Sequence, residues 1–256
     1  YIALPMNRHR LISDILEKIS DSTVSVFLAP DFDIYGIMQG HWTIIGDTPT
    51  MSVVDTPMLG INSVVKRFED LTISGLGIFM TAPLMVLIAI AIKLDSKGPV
   101  FYIQSRHGIN GKIFPVFKFR TMNVIEKDDE FRQSTKNDDR VTRVGRLLRK
   151  TSLDELPQLF NVLIGQMSMV GPRPHALAHN DQFRGTISGF MLRHKIKPGM
   201  TGLAQIKGFR GETDTDDKME KRYHYDMEYL NNWSVWLDLK IIISTPIALI
   251  TNKNVY

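Results

Sequence analysis

The segment from Leu71 to Ile92 constrains this chain most, because its 22 residues contain no charged side chain. As an α-helix the segment would be about 33 Å long, which matches a hydrocarbon core of about 30 Å. A helix in the core of a soluble protein needs only one apolar face, so an uncharged stretch of this length favours contact with a membrane.

A proline near the middle of this segment leaves two topologies open. Pro83 lacks a backbone N–H and crowds the preceding turn, so we expect the helix to break at Ala82 and Pro83. Basic residues flank both ends of the segment: Lys66, Arg67, Lys93 and Lys97. The positive-inside rule therefore gives no orientation. The segment either spans the membrane or re-enters it and returns to the same side, and we favour the re-entrant form.

Composition excludes several kinds of site. The chain has 256 residues and no cysteine, which excludes disulfides, a thiolate nucleophile and cysteine-ligated metals. Its net charge of +4 is unevenly distributed. Residues 1–70 carry five basic and nine acidic side chains, whereas the remaining residues carry 26 and 18. We therefore expect anionic partners to bind the second part of the chain.

The first 60 residues differ in pattern from the rest. Residues 1–4 and 23–29 are typical of strands, and residues 8–19 between them are typical of an amphipathic helix. This order resembles the last βαβ unit of an open α/β sheet. We interpret residues 1–60 as the C-terminal part of an upstream α/β domain, and the absence of a glycine-rich phosphate loop gives no argument for dinucleotide binding.

A short hairpin is expected after the apolar segment. Residues 99–120 contain two β-like runs on either side of a turn at residues 108–111, where glycine and asparagine are concentrated. Lys118 and Arg120 alternate with Phe117 and Phe119 near its end, so the two basic groups should share one face of a strand.

A row of arginines leads into an acidic pair. Four arginines recur at every third position: Arg140, Arg143, Arg146 and Arg149. Pro157 is best tolerated in a first helical turn, so a helix should begin between Ser152 and Asp154. The positive end of that helix would favour the ionised forms of Asp154 and Glu155, which suits a nucleophile or a metal ligand. The alternative is that both carboxylates only cap the helix.

A further arginine strengthens the functional interpretation. Arg173 lies between two prolines in Val-Gly-Pro-Arg-Pro, residues 170–174. Arginine is the side chain best suited to bidentate recognition of phosphate. Two acids, several phosphate-binding cations and a membrane segment together predict phosphoryl transfer at a membrane surface, with a hard divalent ion.

These residues carry a resemblance to a known family. The relevant stretches are the apolar segment with its central proline, Lys-Phe-Arg-Thr-Met (118–122), Leu-Arg-Lys-Thr-Ser-Leu-Asp-Glu-Leu-Pro-Gln (148–158), Val-Gly-Pro-Arg-Pro (170–174) and Lys-Pro-Gly-Met-Thr-Gly-Leu-Ala-Gln (197–205). Residues 62–256 resemble the bacterial sugar transferase family, the monotopic polyprenyl-phosphate hexose-1-phosphate transferases. The C-terminal part is most similar to members that transfer glucose 1-phosphate to undecaprenyl phosphate.

The resemblance implies a two-step reaction. Asp154 would attack the β-phosphate of a UDP-hexose, release UMP and form a covalent aspartyl-phosphosugar, which undecaprenyl phosphate would then attack. Glu155 would hold Mg²⁺. The implied phosphate contacts are Lys118, Arg120, Arg149 and Arg173. The sugar is expected to be glucose, with galactose left open, and the reaction would be the first membrane step of exopolysaccharide or capsule synthesis.

The resemblance also implies an architecture. We expect a mostly helical α+β fold on the cytoplasmic face of the bacterial inner membrane. Long members of the family carry an upstream nucleotide-fold domain, of which residues 1–60 would be the C-terminal part. Residues 61–98 would form a linker and re-entrant helix, and residues 99–256 the transferase domain with interfacial amphipathic helices. One of these is expected near residues 241–250, beside Trp233 and Trp236. The partners are the donor, the lipid acceptor and the bilayer, and a homodimer is left open.

Other interpretations are weaker. His175 and His179 have the spacing of a zinc-binding helix, but Ala176 stands where a catalytic glutamate is required. Asp214 and Asp216 lie in an acidic stretch that is better explained as a solvated loop. A non-catalytic membrane scaffold would use the basic face only to hold anionic lipid. A nucleic-acid binder is disfavoured because no recognition motif accompanies the basic residues.

Overall fold

The computed structural model describes residues 60–123, 138–175, 190–211 and 216–251, two strands near residue 45, and residues 8, 10–12, 14, 15, 58, 183 and 187. The chain forms two compact units, Tyr1–Asp55 and Thr56–Tyr256. In the first unit, β1 (His41–Ile45) and β2 (Thr48–Ser52) form an antiparallel pair. The βαβ unit predicted over residues 1–29 lies almost entirely outside the described residues.

The second unit is a mostly helical α+β structure. Its regular elements are α1 (Ile61–Asp95), β3 (Phe101–His107), β4 (Ile113–Phe119), α2 (Arg143–Thr151), α3 (Gln158–Leu163), β5 (Ser168–Val170), β6 (Gly199–Thr201), α4 (Leu203–Ile206), α5 (Asp216–Asn231) and α6 (Val235–Thr251). Strands β3 and β4 pair antiparallel, and β5 pairs in parallel with β6. The predicted hairpin, the long apolar helix and the mixed fold class are confirmed.

Helix α1 is continuous through Ala82 and Pro83. The predicted break of the helix at these residues was therefore wrong. Pro83 removes only one backbone donor, and the hydrogen bonds on either side can hold the helix together. Two residues earlier, Thr81 Oγ1 donates a further hydrogen bond to the carbonyl oxygen of Gly77, at 2.6 Å.

Two apolar clusters hold the second unit together. The larger joins β4, α3, β5, α5 and α6 around buried residues that include Val116, Leu159, Val162, Val170, Tyr229 and Ile241. The smaller packs the second half of α1 against the hairpin and α2. Its buried members are Met85, Ile88, Ile92, Phe119 and Leu148. The hairpin and α2 are thus fixed against α1, and the segment between α2 and α3 lies between the two clusters.

The first turns of α1 are attached to α6 by a buried ion pair. Lys66 Nζ lies 2.6 Å from Asp238 Oδ2, and both side chains are buried. Asp238 also accepts hydrogen bonds from Tyr229 Oη at 2.8 Å and from Trp233 Nε1 at 2.9 Å. Because the carboxylate has several partners, its charge is well compensated inside the protein.

Both ends of α1 contact the same unit. Near its start, Asp70 Oδ1 accepts hydrogen bonds from Ser168 Oγ at 2.9 Å and from the Met169 N–H at 2.8 Å. At its end, Asp95 Oδ2 accepts a hydrogen bond from the Val144 N–H at 3.0 Å. These contacts attach both ends of α1 to the rest of the second unit.

The outward face of α1 is apolar along its length. By length and composition, α1 could cross a membrane. Large side chains exposed on it include Phe68, Phe79, Met80, Leu87 and Leu94, and those on α6 include Trp236, Ile243 and Ile247. Such an extensive exposed apolar surface is typical of a site of membrane or protein contact.

The Lys66–Asp238 pair gives a test of how α1 is held. In an Asp238→Asn variant, we expect the free energy of unfolding to fall by about 1–3 kcal/mol, because Lys66 loses its nearest buried counter-charge and keeps only Asp70 at 3.4 Å and Glu69 at 3.8 Å. Denaturant unfolding of the detergent-solubilised protein measures the difference. The control is Asp217→Asn, which removes an exposed carboxylate paired with Lys221 at 2.8 Å and should cause no measurable change. Equal stability of the two variants would contradict this account of the anchor.

Candidate active site

The acidic pair lies in a tight turn between two helices. Helix α2 ends at Thr151, and Ser152 follows as its C-cap in a left-handed conformation with φ of 58°. Asp154 and Glu155 follow in a single 3₁₀ turn, Leu153–Glu155. The predicted helix start between Ser152 and Asp154 thus corresponds to this turn, and the regular helix α3 begins only at Gln158.

Glu155 is buried and contacts three cations. Its Oε1 accepts hydrogen bonds from Lys118 Nζ at 2.8 Å and from Arg173 Nη2 at 2.6 Å. Its Oε2 accepts hydrogen bonds from Arg173 Nη1 at 3.1 Å and from Arg210 Nη2 at 3.3 Å. Burial alone would raise the pKa of Glu155, but the charges of Arg173, Lys118 and Arg210 outweigh burial and hold that pKa well below its ordinary value.

Asp154 has the opposite electrostatic character. Burial, and then the negative charge of Glu155, raise the pKa of Asp154 from 3.8 to about 6, although Lys118, Arg173 and Arg149 act to lower it. The expectation that a helix start would favour the ionised form of both acids is wrong for Asp154, and the low pKa of Glu155 comes from the three cations and not from the helix. For Asp154, burial outweighs any helix dipole, and α3 begins four residues further on. Asp154 nevertheless remains partly exposed to solvent.

The three cations around Glu155 come from distant parts of the chain. Lys118 lies near the end of β4, where Asn161 fixes the strand by accepting from the Phe117 N–H at 2.9 Å. Arg173 follows β5, and its carbonyl oxygen accepts a hydrogen bond from Arg193 Nη2 at 2.9 Å. Arg210 follows α4. The fold therefore creates this cluster, which no local motif contains.

Arg210 is a site residue that the sequence reasoning missed. It lies five residues beyond the end of the Lys-Pro-Gly-Met-Thr-Gly-Leu-Ala-Gln stretch and between two glycines, Gly208 and Gly211. A basic residue flanked by glycines shortly after a recognised motif was the available signal. Its contact with Glu155 places it beside Lys118 and Arg173.

The other two predicted phosphate contacts, Arg120 and Arg149, form different hydrogen bonds. Arg120 is buried, and it donates hydrogen bonds from Nη1 to the carbonyl oxygen of Lys97 at 2.6 Å and from Nη2 to that of Ser96 at 2.8 Å. It thus holds the carbonyls at the end of α1, as basic groups often do at helix C-termini. Arg149 Nε donates to Thr121 Oγ1 at 2.9 Å, and its charge still reaches Asp154.

Further basic groups surround this cluster. Burial and the charge of Arg173 lower the pKa of Arg106 to about 10, and burial together with the charge of Arg193 lowers that of Arg222 to about 9. Asp226 lies 2.7 Å from Arg193 and offsets part of this charge. The described side chains around Glu155 thus carry more positive than negative charge, which favours an anionic ligand.

The predicted magnesium ligand does not fit this arrangement. Both oxygens of Glu155 are occupied by cations, so a metal ion could bind there only if at least one of them left. Among the described residues, no group of three or more histidine, aspartate and glutamate side chains is arranged to hold a metal ion. His175 is buried, whereas His179 and Asp214 lie outside the described residues.

Comparison with known proteins places this site in a family. The chain is 52% identical over 256 residues to a UDP-glucose:undecaprenyl-phosphate glucose-1-phosphate transferase of Klebsiella pneumoniae, and 48% identical over 256 residues to that of Escherichia coli K12. Both alignments cover all of this chain, which spans 55% of each relative. A protein of the same name from Caulobacter vibrioides is 42% identical over 245 residues, which are 96% of this chain and 86% of that protein.

The family assignment rests on more than these pairwise similarities. The sequence profile of bacterial sugar transferases matches residues 61–252, which include α1, the acidic turn and all three cations that contact Glu155. The chain therefore belongs to the bacterial sugar transferase family.

Proposed function

We propose that this chain transfers glucose 1-phosphate from UDP-glucose to undecaprenyl phosphate and releases UMP. The observation that carries the proposal is the partly exposed carboxylate of Asp154 beside a cluster of three cations. A diphosphate needs several positive charges to bind, and an accessible carboxylate next to it can act as a nucleophile. The names of the relatives supply the identity of the sugar and of the lipid.

The reaction proceeds in two displacements at one phosphorus atom. A carboxylate oxygen of Asp154 attacks the β-phosphorus of the donor, a new P–O bond forms, and the bond to UMP breaks with its electrons leaving on UMP. The resulting aspartyl-phosphosugar is then attacked by a phosphate oxygen of undecaprenyl phosphate. The P–O bond to Asp154 breaks, the lipid-linked diphosphate sugar forms, and the carboxylate is regenerated.

The cations lower the barrier to both steps. Lys118, Arg173 and Arg210 are positioned to neutralise the charge that accumulates on the transferring phosphoryl group and on the leaving UMP. Arg149 adds positive charge on the side of Asp154. The raised pKa of Asp154 makes its carboxylate more basic, and therefore more nucleophilic, than an ordinary aspartate.

We propose that Mg²⁺ binds together with the donor, through the diphosphate. The ion would supply additional charge neutralisation to the diphosphate, whose oxygens are ligands of the kind Mg²⁺ prefers. Because Glu155 is engaged by cations, we assign no side chain of this chain to the ion.

The proposed location is the cytoplasmic face of the bacterial inner membrane. Residues near both ends of α1 contact the unit that carries Asp154, which supports a placement with both ends on one side of the membrane over a spanning one. The exposed apolar faces of α1 and α6 would lie in the bilayer and in its interface, respectively. We further propose that residues 1–60 belong to an upstream domain, 61–98 to the membrane helix and 99–256 to the catalytic domain.

Covalent trapping tests the proposed function. Membranes containing the protein are incubated with UDP-glucose radiolabelled in the sugar, before any lipid acceptor is added, and the protein is denatured and counted. We expect label on the wild type and none on Asp154→Asn, because an amide cannot form the acyl phosphate. Asp217→Asn, which changes an exposed aspartate, serves as the matched control and should be labelled. Equal labelling of wild type and Asp154→Asn would refute the role of Asp154.

The same assay distinguishes the sugars and the main rival function. UDP-galactose is offered in parallel, and we expect labelling from UDP-glucose to be at least tenfold faster. A membrane scaffold without activity would acquire no label from either donor.

The raised pKa of Asp154 predicts an unusual pH dependence. Only the ionised carboxylate attacks, so the rate of covalent labelling should be level above pH 7 and fall through a midpoint near pH 6, where Asp154 is half protonated. Below that midpoint, the rate should drop about tenfold per pH unit. Single-turnover labelling from pH 4.5 to 8.5 measures this profile, and a midpoint near pH 4 would show that burial does not perturb Asp154 as described.

Topology can be tested with single cysteines, since the native chain has none. Ser63 and Lys97 flank α1 and have exposed side chains, so Ser63→Cys and Lys97→Cys report on its two ends. With a membrane-impermeant maleimide added to intact cells, we expect neither variant to react. Both should react once the inner membrane is permeabilised. Reaction of one variant alone in intact cells would establish a spanning helix.

A further inference from the structure

Glu155 joins three segments of the chain through one carboxylate. Lys118 lies in β4, Arg173 follows β5, and Arg210 follows α4. Glu155 is an acidic side chain that all three contact, at 2.8 Å, 2.6 Å and 3.3 Å. The relative positions of the three cations are thus set by the group at their centre.

The charges make this arrangement dependent on Glu155. Three positive groups around one carboxylate leave an excess of positive charge, and like charges at such separations repel strongly in a partly buried site. Without the carboxylate, the cations would separate toward solvent, because a buried charge that has lost its partner is costly. A diphosphate needs those cations together, so their spacing is part of the binding site.

The geometry also separates the roles of the two adjacent acids. Both oxygens of Glu155 accept charge-assisted hydrogen bonds, so their lone pairs are engaged and Glu155 is a poor nucleophile. Those same contacts prevent it from offering an oxygen to a metal ion. Asp154 is left as the reactive member of the pair.

We propose that Glu155 is a positioning residue whose carboxylate holds Lys118, Arg173 and Arg210 together for the donor diphosphate, instead of binding the metal ion. This inference rests on the proposed function, since it names the group that organises the donor site. It assigns Glu155 a structural task in donor binding that is independent of Mg²⁺.

Steady-state kinetics of Glu155→Gln test the inference. Glutamine has nearly the same shape but no charge, so we expect the KM for UDP-glucose to rise at least tenfold. The concentration of free Mg²⁺ that gives half-maximal rate should stay within twofold of the wild-type value. If Glu155 were a metal ligand, that concentration would rise tenfold or more and excess Mg²⁺ would restore the rate. That result, or an unchanged KM for the donor, would overturn the proposal.

A binding measurement separates this inference from the proposed reaction. UDP is titrated calorimetrically into detergent-solubilised protein in the presence of EDTA, where neither turnover nor metal contributes. We expect Glu155→Gln to bind UDP at least tenfold more weakly than the wild type, whereas Asp217→Asn should bind like the wild type. Equal or tighter binding by Glu155→Gln would refute the positioning role. A failure of the wild type to release UMP from UDP-glucose would refute the proposed function and leave this comparison intact.

A conservative variant distinguishes a loss of the positioning role from a folding defect. Glu155→Asp keeps the charge but shortens the side chain by one methylene, so it can reach only part of the cation cluster. We expect its KM for UDP-glucose and its Kd for UDP to lie between those of wild type and Glu155→Gln, with a melting temperature close to wild type. If Glu155→Gln does not fold, wild-type values for Glu155→Asp at every Mg²⁺ concentration would count against the proposal.

Discussion

The contact of one buried carboxylate with three cations gives the candidate site its shape. Lys118, Arg173 and Arg210 are each separated from Glu155 by at least 18 positions in sequence, and each comes from a segment with its own packing. Apolar packing alone would not bring three positive charges together, because they repel one another. Glu155 offsets that repulsion and so allows the fold to assemble an anion-binding surface next to Asp154.

The membrane helix is connected to the same surface from both ends. Asp70, in the first third of α1, accepts a hydrogen bond from the Met169 N–H in β5, and Arg173 lies three residues beyond the end of that strand. The carbonyl oxygens at the end of α1 are held by Arg120, which is two residues beyond Lys118. Two of the three cations therefore lie within a few residues of an anchor of α1. The depth of α1 in a bilayer would consequently set the height of the site above the lipid headgroups.

Sequence patterns predicted the local features well. The hairpin follows from β-like runs around a Gly/Asn turn, and α1 follows from an uncharged stretch longer than any core helix requires. Asp154, Glu155, Lys118 and Arg173 were identified from motif residues, and the structure places Glu155 in contact with the latter two.

Two of the errors depend on tertiary contacts, and the third depends on the hydrogen bonds within a helix. Arg120 belongs to the same alternating pattern as Lys118. Only the packed structure shows that Arg120 donates its hydrogen bonds to the carbonyl oxygens of Ser96 and Lys97. Arg210 is distant in sequence from the acidic pair. Helix α1 continues through Pro83 because the other hydrogen bonds of the helix compensate for one missing backbone donor. A rule that treats each proline as a helix breaker does not include those hydrogen bonds.

The different pKa values of Asp154 and Glu155 show why adjacency in sequence does not imply a shared role. The two residues occupy one 3₁₀ turn and are separated by a single peptide bond, yet burial dominates one and charge dominates the other. Because Glu155 accepts hydrogen bonds from Lys118 and Arg173, its pKa stays low, and its negative charge helps to raise the pKa of Asp154. The residue that organises the cations thus also makes its neighbour a more basic carboxylate, and one cluster supplies both binding charge and nucleophilicity.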